Sequence, residues 1–147
     1  MVTQPLEPRF LSFLYYFNVV GDFFQCHEYL ESLWLDSGRP EILQGLIQTA
    51  VCLYHLENGN VRGARRMWAR AKPRLEAQFP EYGSIRLNRL VQDMDDVFAK
   101  LPPSLTDRQV TVQTIRDLGL PRVLLQFADS GLDDKLQDWV PKPLVDR

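Results

Sequence analysis

The stretch PEILQGLIQTAVCLYHLENGNVRGA, residues 40–64, decides the fold. Pro40 suits the first turn of a helix, and the apolar residues that follow it occupy almost every side of that helix. A helix that is apolar nearly all round is a buried one, so this segment, helix three, is predicted to be the centre of the protein. Asn58-Gly59-Asn60 ends it, and its second asparagine is predicted to cap helix four, which runs to about Leu75.

Towards the amino terminus, apolar residues recur at helical spacing in two further segments. Helix one is predicted over residues 8–20, with Gly21 as its stop, and helix two over residues 22–36, with Asp22 as its cap. The Gly-Asx pair at 21–22 returns at 59–60. This echo predicts that helices one and two, and then helices three and four, form two stacked antiparallel hairpins.

Towards the carboxyl terminus, Ser84 is predicted to open helix five, which ends before Pro102-Pro103. The pattern then weakens, and Val123, Leu124, Leu125 and Phe127 are expected to anchor an irregular tail. The predicted fold is therefore all-α: a compact bundle of about five helices arranged as antiparallel hairpins, with a largely irregular C-terminal tail. Residues 1–100 are predicted to form the bundle domain, and residues 101–147 an extension packed on it, mobile from 141 onward.

Composition sets limits on function. The chain has 147 residues, of which 45% are hydrophobic and 24% charged, which fits one globular domain. A formal net charge of −2 argues against general attraction to nucleic acids or membranes, although it leaves room for a local basic patch. Cys26 and Cys52 lie in apolar helical stretches without CxxC spacing, so both are expected to be buried free thiols. The expected location is the cytoplasm, or a plastid-like compartment.

Polar side chains interrupt two of the predicted helices. On helix two, His27, Glu31 and Trp34 share a face, with Glu28 beside it. Helix three carries a second polar stripe inside an apolar segment, and its members are Gln44, Gln48 and His55. Because an unpaired polar group removed from water costs about 1–3 kcal/mol, the two stripes are predicted to satisfy each other, or a ligand, across a polar seam.

The seam has two interpretations. In the first, it is a buried hydrogen-bond network that specifies how the helices pack. In the second, it is a site with chemistry, in which His27, Glu28 and Glu31 are the candidate catalytic residues. A metal would then be held by His27, Glu31 and His55, and the candidate ligand-binding residues are Trp34, Gln44, Gln48, His55 and Asn60. The segment lacks the second histidine of the HExxH zinc motif, and the sequence identifies no cofactor.

A row of arginines follows helix four at four-residue spacing: Arg62, Arg66, Arg70 and Arg74. Like charges at this spacing repel each other by roughly 0.2–0.5 kcal/mol per pair, so the row needs compensation. Intramolecular carboxylates are one source, with Glu57, Glu76 and the trio Asp93, Asp95 and Asp96 as candidates. An acidic protein or a phosphate-bearing ligand bound to the row is the other.

The helical segments also carry a specific set of spaced residues: Phe17-Asn18, Gly21, Phe24, His27-Glu28, Leu30-Glu31, Trp34, Gln44-Gly45-Leu46-Ile47-Gln48, Ala50, His55, Gly59-Asn60 and Gly63-Ala64. This set resembles the signature of the family known as domain of unknown function 309. The resemblance covers about residues 17–75. It implies an all-helical bundle found in bacteria, archaea and plastid-bearing organisms, with no established activity or cofactor.

Two functions follow from these observations, and the sequence does not decide whether the protein is an enzyme. The first is a non-enzymatic binding or interaction module, which fits the small size and the repeated hairpin. The alternative is a small metal-dependent or acid-base hydrolase that uses the histidine and glutamates of the seam. No membrane-spanning stretch is expected. The sequence also allows a homo-oligomer that forms through exposed apolar surface on helix one or helix five.

Overall fold

The computed structural model describes residues 6–145 of the chain, and residues 1–5 and 146–147 lie outside the description. Helices dominate this part, which confirms the predicted all-α class. In chain order the α-helices are α1 (Pro8–Tyr15), α2 (Phe23–Asp36), α3 (Glu41–Glu57), α4 (Val61–Glu76), α5 (Leu87–Ala99), α6 (Val112–Asp117) and α7 (Leu132–Gln137). The remaining elements are a π-helical turn (Tyr16–Val20), a 3-10 turn (Pro103–Leu105) and two short strands, β1 (Glu81–Tyr82) and β2 (Ile85–Arg86).

The third helix is the centre of the protein, as its apolar sequence predicts. α3 packs along α2 on one side and along α4 on another, and the α1–α2 and α3–α4 pairs form successive hairpins. Gly45 allows α3 and α4 to approach closely. A Cβ atom at this position would lie 2.9 Å from Cβ of Arg74 and 3.3 Å from Cδ2 of Leu75. The glycine is therefore a packing residue, not a turn residue.

The two Gly-Asx turns form as the sequence predicts. Gly21 has a φ of 77° and Gly59 a φ of 85°, both in the left-handed region that glycine adopts without strain. Asp22 then caps α2 by accepting a hydrogen bond from Gln25 N at 3.1 Å, and Asn60 caps α4 by accepting one from Gly63 N at 2.9 Å. Each hairpin therefore has a defined start for its second helix.

Two boundaries differ from the sequence expectation. The predicted first helix widens at its end into the π-helical turn, because Gly21 N donates to Tyr16 O, five residues back, at 2.7 Å. The predicted start of helix five at Ser84 is wrong, because a short β-hairpin occupies this segment and the helix begins three residues later. Residues 81–86 pair as β1 and β2, and Ser84 takes a φ of 68°, so α5 begins at Leu87.

The chain after residue 100 packs on the bundle through short elements. Val123, Leu125 and Phe127 are buried while Leu124 is exposed, which is the alternation of an extended segment and limits the expected anchors to three. The Asn18 side chain fixes this segment, since its amide donates to the carbonyl oxygen of Leu125 at 2.9 Å and its oxygen accepts from Leu125 N at 2.8 Å. The predicted mobility of residues 141–147 falls partly on residues outside the description.

Candidate binding face on the second and third helices

Three of the singled-out polar residues meet on α2. His27 and Glu31 lie one helical turn apart, and His27 Nε2 is 3.2 Å from Glu31 Oε2. Glu28 approaches from the other side, with its Oε1 3.2 Å from His27 Nδ1. The side chains are 32% (His27), 41% (Glu28) and 45% (Glu31) exposed. This cluster is therefore a surface feature open to solvent, not an interior network.

The cluster contains two carboxylates but only one imidazole to pair with them. A neutral imidazole carries only one N–H, so it can donate to one of two flanking carboxylates but not to both. Both contacts are satisfied only if the ring is protonated or if another cation joins the group. One nitrogen and two carboxylate oxygens can come within 4.8 Å of one another here, which is a spacing that one metal ion could bridge.

The polar stripe of α3 faces a different neighbour. Gln48 Oε1 accepts from Arg74 Nη1 of α4 at 3.4 Å, and the same arginine donates through Nε to Glu41 Oε2 at 2.6 Å. His55 Nδ1 lies 3.3 Å from Nδ2 of Asn60, the residue that caps α4. The Arg74 contacts form where Gly45 allows α3 and α4 to approach closely, whereas the His55–Asn60 contact spans the turn between the two helices.

The structure therefore divides the singled-out residues into two groups. Within residues 6–145, no hydrogen bond or ion pair joins the α2 cluster to Gln44, Gln48 or His55. His55 is not part of the group that could hold a metal ion, since that group contains His27, Glu28 and Glu31. Gln44 is half-buried. The predicted metal ligands His27, Glu31 and His55 therefore do not form one group in the structure. The contacts described above also do not form the predicted polar seam between the two helices.

Trp34 lies at the other end of α2 and has a distinct environment. The guanidinium carbon of Arg39 is 5.4 Å from the centre of its ring, a cation–π contact. In the described part of the chain its Nε1–H is buried without a hydrogen-bond partner. Trp34 otherwise packs against the core cluster, so its contacts here are those of a packing residue.

Sequence reasoning missed two aromatic residues beside the α2 cluster. Phe24 is 51% exposed and Tyr54 39% exposed, and their ring centres are 6.1 Å apart across the α2–α3 hairpin. Helical spacing gives a partial signal, because Phe24, Glu28, Glu31 and Leu35 share one side of α2. Leu35 is also exposed. The sequence pattern does not tell whether another helix covers Phe24 and Leu35, and the tertiary structure shows that both are exposed.

Two further carboxylates lie at the aromatic end of this surface. The pKa of Glu57 is raised above its ordinary value, first by partial burial and then by the nearby charge of Asp22. Two negative groups thus share one neighbourhood at the start of α2 and the end of α3. We define the α2–α3 face as the surface formed by Asp22, Phe24, Glu28, Glu31, Tyr54 and Glu57.

The cysteines take no part in this surface. Cys26 and Cys52 are both buried and free, as the sequence predicts. Burial raises the pKa of the Cys26 thiol well above its ordinary range, and it raises that of Cys52 as well. Both thiols are therefore held in the unreactive protonated form, which makes them packing residues.

The arginine row of α4 is divided between paired and unpaired members. Arg74 is held by Glu41 and Gln48, as described above. The three acidic residues of α5 bind other groups: Asp95 binds Lys72 at 2.8 Å and Trp68 Nε1 at 2.9 Å, Asp93 binds Arg89, and Asp96 accepts from Gln92 Nε2 at 2.9 Å. Among residues 6–145, Arg62, Arg66 and Arg70 are exposed and have no ion-pair partner.

Fold and surface together define an all-α protein of helical hairpins with one acidic, aromatic face and one arginine-rich helix. Residues 10–67 match the family described as Domain of unknown function (DUF309), which confirms the resemblance seen in the sequence. The chain is also 32% identical over 97 residues to the uncharacterized protein YpuF of Bacillus subtilis (strain 168). That match covers 63% of this chain and 56% of the relative, so the chain spans little more than half the relative's length.

The comparisons leave the activity open. The family is named for having no known function, and the relative carries the description uncharacterized. No solved structure matches the chain. Between residues 6 and 145, none of the helices combines the length and the apolar character needed to cross a membrane.

Proposed function

We propose that this protein is a non-enzymatic interaction module, and that its α2–α3 face binds a basic amphipathic segment of a partner protein. One observation carries the proposal. By position along α2 and α3, the exposed pair Phe24 and Tyr54 comes after Asp22 and Glu57, which are near each other, and before Glu28 and Glu31. An apolar centre with a charged rim is the arrangement of a protein-binding surface.

The charges specify the partner. Glu28 and Glu31 flank a single imidazole that in its neutral form has one N–H and can donate to only one of them, and the ionised form of Glu57 is already disfavoured by burial and by the charge of Asp22. A lysine or arginine from a partner would relieve both groups. Since Glu28 and Glu31 follow Asp22 by six and nine residues, the two acidic groups lie about 9–13 Å apart along α2. A partner helix with basic residues about two turns apart, flanking an apolar side chain, fits this spacing.

The experiment measures binding of a fluorescent synthetic peptide by anisotropy. The peptide is helical, with leucine and phenylalanine along one side and lysines flanking that row at both ends. A peptide of the same composition in scrambled order is the first control. The proposal requires that the ordered peptide binds more tightly than the scrambled one, because only the ordered peptide presents an apolar row between its charges.

Two matched sets of variants locate the binding. Phe24→Ser should weaken the ordered peptide roughly tenfold or more, the effect of losing a central aromatic anchor. Leu124→Ser removes an exposed apolar side chain elsewhere and should leave binding unchanged. Glu28→Gln with Glu31→Gln should weaken binding and reduce its salt dependence, whereas Asp134→Asn with Asp138→Asn makes the same change in net charge and should not. Equal effects of the two double variants would reject the proposal.

A second candidate function is binding of a divalent cation at His27, Glu28 and Glu31, the first step of the metal-dependent hydrolase alternative. The observation that favours it is the convergence of three ligand atoms within 4.8 Å. One imidazole nitrogen and two carboxylate oxygens suit Zn²⁺ or Mn²⁺ and would leave positions open for water. Titration calorimetry with ZnCl₂ and MnCl₂ tests it: wild-type protein should release heat that Glu31→Gln abolishes, and a flat wild-type titration rules the candidate out.

A further inference from the structure

The charges of this protein are strongly segregated. α4 holds six of the 17 basic residues and only one of the 19 acidic residues, although it has 16 of the 147 residues. The rest of the chain is therefore clearly acidic. A local excess of one sign on a protein with a net charge of −2 marks a surface that attracts the opposite charge.

Three of the six basic side chains are used by the fold itself. Arg65 lies over the Phe98 ring at 5.8 Å, Lys72 binds Asp95, and Arg74 binds Glu41. The other three, Arg62, Arg66 and Arg70, are exposed and lie one helical turn apart, and in the described part of the chain they have no carboxylate partner. We call these three residues the arginine ridge.

We propose that the arginine ridge binds an acidic α-helical segment of another protein. The spacing argues for a helix. Successive arginines are about 6 Å apart along the axis, and a ligand helix with carboxylates four residues apart repeats its charges at the same interval. Each guanidinium can then meet one carboxylate through two hydrogen bonds, which makes the charge match specific as well as attractive.

The start of α4 does not favour a phosphate group. Arg62 N donates to Arg108 O, Gly63 N to Asn60 Oδ1, and Ala64 N to Asn60 O, so the first-turn amides that usually hold a phosphate are occupied. Asp107 also lines the hollow next to Arg62 and Arg66. Its carboxylate adds negative charge at that end of the ridge, which repels a doubly charged phosphate group more strongly than it repels a single carboxylate.

Nucleic acid is disfavoured as well. Single-stranded nucleic acid binds through aromatic side chains that stack on bases between the basic residues. On α4 the aromatic residue is Trp68, which is buried with its Nε1 bonded to Asp95. The ridge offers charge without a stacking surface, and this supports a protein ligand.

The test uses a fluorescent alanine-based helical peptide with glutamates at positions i, i+4 and i+8. A second peptide has the same composition with its glutamates distributed around the helix, and a labelled single-stranded RNA is the third probe. The aligned peptide should bind wild-type protein several-fold more tightly than the distributed one. High salt should remove that difference, since the Debye length falls from about 10 Å at 0.1 M to about 3 Å at 1 M.

Variants assign the binding to the ridge. Arg62→Gln, Arg66→Gln and Arg70→Gln together should weaken the aligned peptide roughly tenfold, the sum of three exposed ion pairs. Lys100→Gln, Arg116→Gln and Lys135→Gln together make the same net-charge change at exposed positions elsewhere and should have little effect. A circular dichroism spectrum and a melting curve of each variant show that it remains folded.

Three results would overturn the proposal. The first is equal affinity for the aligned and distributed peptides, and the second is tighter binding of RNA than of either peptide. The third is concentration-dependent self-association in sedimentation velocity that the ridge variant abolishes, because the occupant would then be a second copy of this chain. The first two results do not bear on the α2–α3 face, whose residues are unchanged in the ridge variant.

Discussion

Replacing Gly45 by alanine tests the packing of α3 on α4 with two effects of opposite sign. Glycine in a helix interior is less favourable than alanine by about 1 kcal/mol, so propensity alone predicts a more stable protein. The added methyl group, however, would lie 2.9 Å from Cβ of Arg74 and 3.3 Å from Cδ2 of Leu75. The Arg74 Cβ is fixed to its backbone and cannot rotate away.

The magnitude follows from these two terms. Forcing an extra carbon into a well-packed contact costs about 1–3 kcal/mol. After the gain in propensity, we expect Gly45→Ala to lower the free energy of unfolding by about 1 kcal/mol. For a domain of this size that corresponds to roughly 2–4 °C in the melting temperature. Urea unfolding followed by circular dichroism, together with a thermal melt, measures both quantities.

A second substitution reverses the expected sign. In an Arg74→Gly background the clashing Cβ is gone, so Gly45→Ala should be neutral or stabilising by up to about 1 kcal/mol. In an Arg74→Ala background the guanidinium is lost but the Cβ stays, so Gly45→Ala should still destabilise. The reasoning is refuted if Gly45→Ala raises the melting temperature of otherwise wild-type protein, or if it has the same effect in the glycine and alanine backgrounds.

Three further predictions concern single residues. Gly59→Ala should destabilise the protein much more than Gly38→Ala. Both glycines have positive φ, but a Cβ at position 59 would lie 1.9 Å from a backbone oxygen, whereas a Cβ at position 38 would have no heavy atom within 4 Å. Equal melting temperatures of the two variants would contradict this prediction. Asn18→Ala should cost about 1–3 kcal/mol in urea unfolding, because a buried backbone donor and acceptor lose their partner, and a cost near zero would show that water replaces the amide. Glu57→Gln should raise the melting temperature slightly at pH 7. The raised pKa of Glu57 means that its ionised form opposes folding, so this gain should shrink as the pH falls towards the ordinary value of 4.5. A gain that is constant with pH would exclude burial and Asp22 as its cause.

Local sequence signals were sufficient for the helical core. The nearly all-round apolar character of residues 41–57 predicted a central helix, and α3 occupies that place. Asp22 and Asn60 are predicted as caps because Asp and Asn are preferred N-cap residues and each stands before a helical run, and both accept the expected backbone hydrogen bond. These features depend on contacts between residues close in the chain, which a sequence pattern records directly.

The region between α4 and α5 was harder to predict. The β1–β2 hairpin is only two residues on each strand, and β2 gains its remaining partner, Phe127, from far along the chain. Neither strand is long enough to produce an alternating pattern in the sequence. The predicted start at Ser84 was therefore displaced by pairing that depends on the folded tail.

For the polar residues of α2 and α3, the sequence pattern again predicted contacts within one helix but not contacts between helices. Helical spacing correctly placed His27, Glu28 and Glu31 together, because all three lie within two turns of one helix. It could not specify which neighbour the stripe of Gln48 and His55 would contact. That orientation depends on the rotation of α3 about its own axis.

By itself, the sequence determined the helices, their caps and the clusters of residues within a single helix, since these are set by backbone hydrogen bonding and side-chain spacing over a few residues. Tertiary structure alone decided that Arg74 meets Gln48, that Phe24 and Tyr54 stay uncovered, and that Arg62, Arg66 and Arg70 have no carboxylate partner in the described part of the chain. The physical reason is steric. Gly45 lets α4 approach one side of α3 and bury it, while the packing of many core side chains decides which other surfaces face solvent.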